Sequence, residues 1–169
     1  LSFSGDLREG VERSKIIFIC VNTPPLDTGE TDLSYVGNVS KNIARYMKGY
    51  KLIVSKSTVP VETGRWIEKT VKRYYKKGKE AFDVASNPEF LREGTAVHDF
   101  FHPERVVLGV QSKRAEKLLR QLYSKIKTRF IVTDIESAEL IKHGSNSFLA
   151  TKVSFINSLA RVCDSVGAD

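Results

Sequence analysis

Between residues 16 and 133 the chain alternates short, almost wholly apolar runs with longer stretches in which apolar residues return every third or fourth position. That alternation restricts the fold more than any other feature. The first run, Ile16-Ile17-Phe18-Ile19-Cys20-Val21, is mostly β-branched or aromatic and is ended by Asn22-Thr23-Pro24-Pro25. A strand without polar alternation has both faces covered, which is the habit of parallel sheets. Leu52-Ile53-Val54, Phe82-Asp83-Val84-Ala85, Val106-Val107-Leu108-Gly109-Val110 and Phe130-Ile131-Val132 read as further strands. The segments between them have helical period. Val36, Val39, Ile43 and Met47 follow a cap at Asp32 and precede Gly49. Trp66, Ile67, Val71 and Tyr74 form a second set from about Glu62, finishing in Lys76-Lys77-Gly78-Lys79. Ala115, Leu118, Leu119, Leu122 and Ile126 form a third from about Ser112, all expected to be buried, and a short helix capped by Asp6 opens the chain. Crossovers of a dozen residues or more suit parallel pairing. The pattern predicts an α/β fold, a parallel sheet with helices on both faces.

From Asp134 the residues Ile135, Ala138, Ile141, Ser145, Phe148, Leu149, Val153, Ile156, Leu159, Ala160 and Cys163 keep helical spacing to the end of the chain. This predicts one helix of roughly 30 residues, a length that links domains or pairs subunits. A boundary is therefore expected between residues 133 and 134. With 169 residues there is room for one core, or for a domain and part of a second. The chain begins at Leu1, contains methionine only at Met47 and stops at Asp169 directly after an apolar periodic run, so it reads as a piece of something larger. No apolar run approaches the roughly 20 residues of a membrane span, and no signal pattern opens the chain, so a cytoplasmic, non-membrane protein is expected. Cys20 and Cys163 belong to no C-x-x-C pair, and both are expected as reduced, buried thiols.

In a parallel sheet the strands' C-terminal ends share one edge, where ligands bind. Three loops then converge: residues 21–25, Ser57-Thr58-Val59-Pro60, and Asn87-Pro88-Glu89-Phe90-Leu91, each with a hydroxyl or amide beside proline. Pro88 stiffens the segment that carries Glu89 and Glu93. A net charge of +7 favours an anionic partner, whether nucleotide, nucleotide sugar or nucleic acid. The G-x-G-x-x-G phosphate cradle is missing. Lys72-Arg73-Tyr74-Tyr75-Lys76-Lys77-Gly78-Lys79 interleaves basic and aromatic residues as a nucleic-acid binder would, but a helix C-terminus whose cations complement its dipole explains the run better, so no nucleic acid is expected. His98 and His102 have a zinc-like spacing without the expected glutamate, in a segment read as loop, and no metal is expected.

Several motifs in order carry a resemblance: Val21-Asn22-Thr23-Pro24-Pro25, the helix start at Asp32-Leu33-Ser34-Tyr35-Val36, Lys56-Ser57-Thr58-Val59-Pro60-Val61, Ser86 to Gly94 with Pro103-Glu104-Arg105-Val106, and Ser137 to Lys142 with Asn146. Together they resemble the UDP-glucose/GDP-mannose dehydrogenase family, and the run through Pro103-Glu104-Arg105 is more similar to its UDP-glucose members than to those acting on UDP-N-acetylmannosamine or GDP-mannose. The resemblance implies the larger part of an NAD-binding Rossmann-like domain over residues 1–133, and over 134–169 the start of a central helical domain that dimerises. It implies NAD-dependent oxidation of a nucleotide sugar's C6 alcohol to a carboxylate in two hydride transfers, by way of a thiohemiacetal and a thioester on a cysteine.

By the same resemblance Glu89 is the acid/base, Lys142 stabilises negative charge on oxygen, Asn146 lies beside the same sugar carbon, and Thr58 is near the nicotinamide and the catalytic water. Val21, Asn22, Thr23, Pro24, Pro25, Ser57, Thr58, Val59 and Glu93 are implied contacts of NAD. Glu89, Phe90, Leu91, Arg92 and Glu93 line the sugar nucleotide with Lys142 and Asn146. The family's nucleophilic cysteine lies beyond this chain, neither Cys20 nor Cys163 replaces it, and the piece alone is expected to be inactive. His143-Gly144-Ser145 departs from the usual aromatic and two alanines, and His143 reads as a packing or surface residue. Without the resemblance, Lys142 reads as a lysine on a solvated helix face.

Overall fold

The apolar runs pair side by side in a computed structural model that describes residues 2–75 and 82–169. Among the described residues one sheet has the order β1 (Ile16–Ile19), β2 (Lys51–Ser55), β3 (Phe82–Ser86), β4 (Arg105–Val110) and β5 (Arg129–Thr133). Alternate residues of β2 feed opposite faces, as the pleat requires. Ile53 packs with Ile19 and Val84 under α1 (Leu7–Arg13), α2 (Ser34–Tyr46) and α3 (Thr63–Tyr74), a core that includes Val36, Ile43, Met47, Ile67 and Val71. Leu52 and Val54 pack with Ala85, Val106 and Leu108 beneath α5 (Lys113–Leu122), through Ala115 and Leu119. Helices cover both faces, as the apolar runs demand. The basic run's end at residues 76–79 lies outside the described residues.

The sheet is not wholly parallel. β1, β2 and β3 are parallel, and so are β4 and β5, but β4 runs antiparallel to β3 and meets it only through Ala85 with Val110 and Ser86 with Gly109. An apolar run records that a strand is buried, and nothing in it records direction. With so short an overlap, four residues of β4, from Arg105 to Leu108, continue past the end of β3, about 13 Å at strand spacing. The ribbon of β4 and β5 therefore stands above the edge where β1, β2 and β3 end.

Three local expectations are corrected. The segment around His98 is a short helix, α4 (Ala96–Phe101), rather than loop. β1 stops at Ile19, whose carbonyl accepts from the Lys56 and Ser57 amides, so Cys20 leaves the sheet and is exposed, while Cys163 is half-buried and both thiols are free. Leu122, the last residue of α5, is 49% exposed rather than buried.

The final helix, α6 (Ile135–Val166), is 32 residues long and opens on Asp134, whose carboxylate accepts from the Ser137 amide. Only its first turns are buried, at Ile135, Ala138, Glu139 and Lys142. Gly109 and Gly64 make that docking possible: a Cβ on Gly109 would lie 2.6 Å from Ala138 Cβ, and one on Gly64 would lie 2.4 Å from Ile135 Cγ2. Beyond Lys142 the helix exposes Phe148, Leu149, Val153, Phe155, Ile156, Leu159 and Val162.

Candidate active site

Strands β1, β2 and β3 end in register, Ile19 beside Ser55 and Ser55 beside Ser86, so their three following loops do leave from one edge. Side chains stitch them together. Ser57 Oγ donates to the Val21 carbonyl at 2.7 Å, Thr23 Oγ1 donates to the Thr58 carbonyl at 2.9 Å, and the Asn87 amide donates to the Ser55 carbonyl at 2.9 Å. The hydroxyl protons of Thr23 and Ser57 are thus used within the rim. Of the other residues singled out there, Val21 and Thr58 are half-buried, Val59 is buried, and Asn22, Pro24 and Pro25 are exposed.

Asn87 fixes the third loop. Its buried side chain donates through Nδ2 to the Val107 carbonyl at 2.9 Å and accepts at Oδ1 from the Tyr123 hydroxyl at 2.6 Å and from Lys56 Nζ at 3.3 Å. Burial pushes the Tyr123 phenol up to about 12 and pulls the Lys56 ammonium below its ordinary value. With Asn87 held through both ends of its amide and Pro88 buried behind it, Glu89 stands on a rigid stem.

Glu89 and Lys142 meet. Lys142 Nζ donates to Glu89 Oε1 at 3.1 Å, while Glu89 Oε2 accepts from the Leu91 amide at 2.6 Å. The lysine side chain is only 9% exposed and the glutamate 31%. The solvated face that helical spacing alone gives Lys142 is covered because the first turns of α6 dock against the sheet and α3. Phe90 lies between two cations, 4.6 Å from the Arg105 guanidinium and 5.3 Å from Lys142 Nζ. An acid and an ammonium held together in a partly dry recess can exchange a proton with a ligand and stabilise an oxyanion.

The remaining positions are less engaged. Asn146 is exposed one turn beyond Lys142 on α6, and Leu91 and Glu93 are exposed on the loop. Arg92 is held by Asp99 of α4 through Nε at 3.0 Å and its other guanidinium arm at 2.8 Å, which keeps the aspartate well below the usual carboxylate range. A cavity of about 400 Å³ adjoins the loop, bounded among others by Lys56, Asn87, Glu89, Phe90, Arg105 and Tyr123. None of residues 21–25, residues 57–59 or Lys142 lines it, so the paired charges, rather than this hollow, mark where the loops converge. His98 and His102 stack with ring centroids 4.6 Å apart, and among the described residues no group of three potential ligands is placed to hold a metal.

Lys56, Tyr123, Glu139 and His143 were given no role in the site by spacing or resemblance, and Asn87 was noted only as the amide beside Pro88. Glu139 is 2% exposed and accepts from the Glu62 and Gly64 amides, each at 2.8 Å; burial raises its carboxyl to about 7, against the pull of those two bonds. His143 Nε2 donates to the Val59 carbonyl at 2.6 Å, since a carbonyl only accepts. The spacing of 139, 142 and 143 was the available signal, three residues on adjoining turns of one helix.

Two family models and several relatives match the chain. Residues 1–127 match the NAD binding domain of the UDP-glucose/GDP-mannose dehydrogenase family, and residues 136–169 match its central domain. The UDP-glucose 6-dehydrogenase TuaD of Bacillus subtilis is 48% identical over the whole chain, which spans 36% of that protein, and the UDP-glucose 6-dehydrogenase of Rickettsia bellii is 44% identical, with 39% of it spanned. Among solved structures, a UDP-glucose dehydrogenase from Pyrobaculum islandicum superposes on 99% of the chain with a TM-score of 0.94 and 38% identity, and the chain covers 39% of it. A GDP-mannose dehydrogenase from Pseudomonas aeruginosa superposes on 98% with a TM-score of 0.88 and 34% identity, again with 39% of that chain covered. The chain thus spans about two-fifths of the length of its relatives, and over that span it belongs to the UDP-glucose/GDP-mannose dehydrogenase family.

Proposed function

We propose that these 169 residues are part of an NAD-dependent UDP-glucose 6-dehydrogenase that oxidises the C6 alcohol to a carboxylate in two hydride transfers. Residues 1–133 belong to its NAD-binding domain and 134–169 open its central, dimerising domain. The single observation that carries the reading is the 3.1 Å contact between Lys142 Nζ and Glu89 Oε1, made across 53 residues of sequence at the sheet's ligand-binding edge. The names of the relatives from Bacillus subtilis and Rickettsia bellii favour UDP-glucose over other nucleotide sugars. A GDP-mannose dehydrogenase with nearly the same fold keeps a second nucleotide sugar as the alternative, and turnover measured on UDP-glucose, GDP-mannose and UDP-N-acetylmannosamine separates them.

The rim fits the nicotinamide half of NAD. Residues 21–25 and 57–59 are locked to one another by their own hydroxyls and therefore offer a ligand a rigid backbone surface. The pyrophosphate cradle is not among these residues, because no G-x-G-x-x-G occurs in them. When bound, NAD supplies the hydride acceptor. Thr58 faces that side, together with Val21, Asn22, Thr23, Pro24, Pro25, Ser57, Val59 and Glu93. Glu89 moves the substrate's protons, Lys142 stabilises charge on the reacting oxygen, and Asn146 and residues 90–93 orient the sugar nucleotide. Cys163 lies 21 residues beyond Lys142 on the same helix, about 32 Å away, so it is not the thiol at that sugar carbon. This chain alone is accordingly inactive, and the exposed apolar residues of α6 are covered in a homodimer of the intact enzyme.

In the full-length enzyme Glu89→Gln lowers turnover by about a hundredfold or more while calorimetric affinity for UDP-glucose stays within about threefold. Unchanged turnover defeats the assignment.

A further inference from the structure

Three side chains on one stripe of α6 grip the segment that joins β2 to α3 and the first turn of α3 that follows it. Glu136 pairs with the Arg65 guanidinium, Glu139 accepts from the Glu62 and Gly64 amides, and His143 donates to the Val59 carbonyl. Their spacing of three and four residues keeps them on one helix face. Lys142 leaves the same turn toward Glu89.

Two costly features coincide at that contact. Glu62 is the one non-glycine residue with positive φ among the described residues, at +75°. A side-chain-bearing residue there costs about 1–3 kcal/mol and persists only where its surroundings over-determine it. Its amide is held by Glu139, a carboxylate that is itself 2% exposed and so costly to bury without partners. One fixed geometry of residues 59–64 against α6 accounts for both. From there the constraint passes outward, because the Thr58 carbonyl is tied to Thr23 in the first loop.

We propose that Glu139 and His143 are positioning residues that hold the β2–α3 segment at a set distance from Lys142, so that the cofactor side of the site and its acid and ammonium keep one mutual geometry. Neither residue touches substrate or cofactor; both act through Thr58 and Lys142. The inference rests on the functional reading above. A misplacement of about 1 Å between reacting groups costs up to about a hundredfold in rate, so loosening this clamp is read in kcat rather than in affinity.

The test uses full-length enzyme, with kcat expressed per folded active site and KM measured for NAD and UDP-glucose. His143→Leu lowers kcat by about tenfold or more with either KM changed less than about threefold. His143→Gln, whose amide N–H can reach the Val59 carbonyl, recovers most of the loss. Glu139→Gln keeps the side chain's volume but offers one acceptor to two amides, and it lowers kcat in the same way. An unchanged kcat in His143→Leu, or a glutamine no better than leucine at 143, overturns the proposal even if Glu139→Gln fails to fold. Glu89→Gln run alongside keeps the two readings apart: if it turns over normally the functional reading fails, whereas a dead Glu89→Gln beside a fully active His143→Leu removes the clamp alone.

Discussion

Gly109→Ala is the sharpest perturbation of the joint between the sheet and α6. The added Cβ would lie 2.6 Å from Ala138 Cβ, 2.9 Å from the Asp134 carbonyl oxygen and 2.9 Å from Ile135 Cα. Two of the three are backbone atoms, so no change of rotamer relieves the clash. Carbon atoms rest at about 3.5–4.0 Å, and the root of α6 must therefore retreat by about 1 Å. Such overpacking costs about 1–3 kcal/mol, which for a chain of this size lowers Tm by about 3 to 10 °C. Lys142 is one turn past Ala138 on the same rigid helix, so the retreat carries it from 3.1 Å to about 4 Å from Glu89, outside hydrogen-bond range. Gly144→Ala on the same helix is the control. Nothing lies within 4 Å of its new Cβ, and the exchange stabilises an exposed helical position by up to about 1 kcal/mol. Calorimetric unfolding of the two variants should move Tm in opposite directions. A Gly109→Ala protein as stable as the parent refutes the packing argument.

Two further tests address buried polar groups. Because burial raises Glu139 from 4.5 to about 7, between those values the native chain keeps a proton that the unfolded chain has lost. Stability therefore falls as pH rises through that window, by about 3 kcal/mol at most, and unfolding scans of the parent and Glu139→Gln from pH 4.5 to pH 8 should converge toward the upper end; parallel curves refute it. Tyr123→Phe removes the 2.6 Å hydrogen bond to Asn87 Oδ1 and leaves Lys56 as that atom's donor. It should cost about 1 kcal/mol in denaturant unfolding, and an unchanged midpoint shows the Asn87 network to be redundant.

Periodicity located β1 to β5 and the helices α1, α2, α3, α5 and α6, because burial on both faces or on one stripe leaves a direct mark on residue order. What it missed depended on tertiary context. The reversal of β4 leaves no mark on its own apolar run, and α4 before it shows apolar helical spacing only at Val97, Phe100 and Phe101, three exposed residues in a helix of six. Cys20 was expected in the core because it continues an apolar run, but amides of another loop cap β1 one residue earlier. At the site, the sequence brought three proline-stiffened loops to one edge and picked out Glu89 on one of them, and the resemblance supplied its role and Lys142. Nothing in spacing pairs residues 53 apart, and the burial of Lys142 follows from glycines at 64 and 109 that lie in other elements. His143 looked like packing because its acceptor, a backbone carbonyl, carries no sequence signal.

The 25 residues from Lys142 to Val166 continue as one unbroken rod about 36 Å long, seated at its base. Such a rod works as a lever: a tilt of about 5° sweeps its tip through about 3 Å while the base shifts by a small fraction of that. Whatever grips the tip thereby steadies the base, so that the sub-ångström placement of one ammonium group can be governed from some three dozen ångströms away.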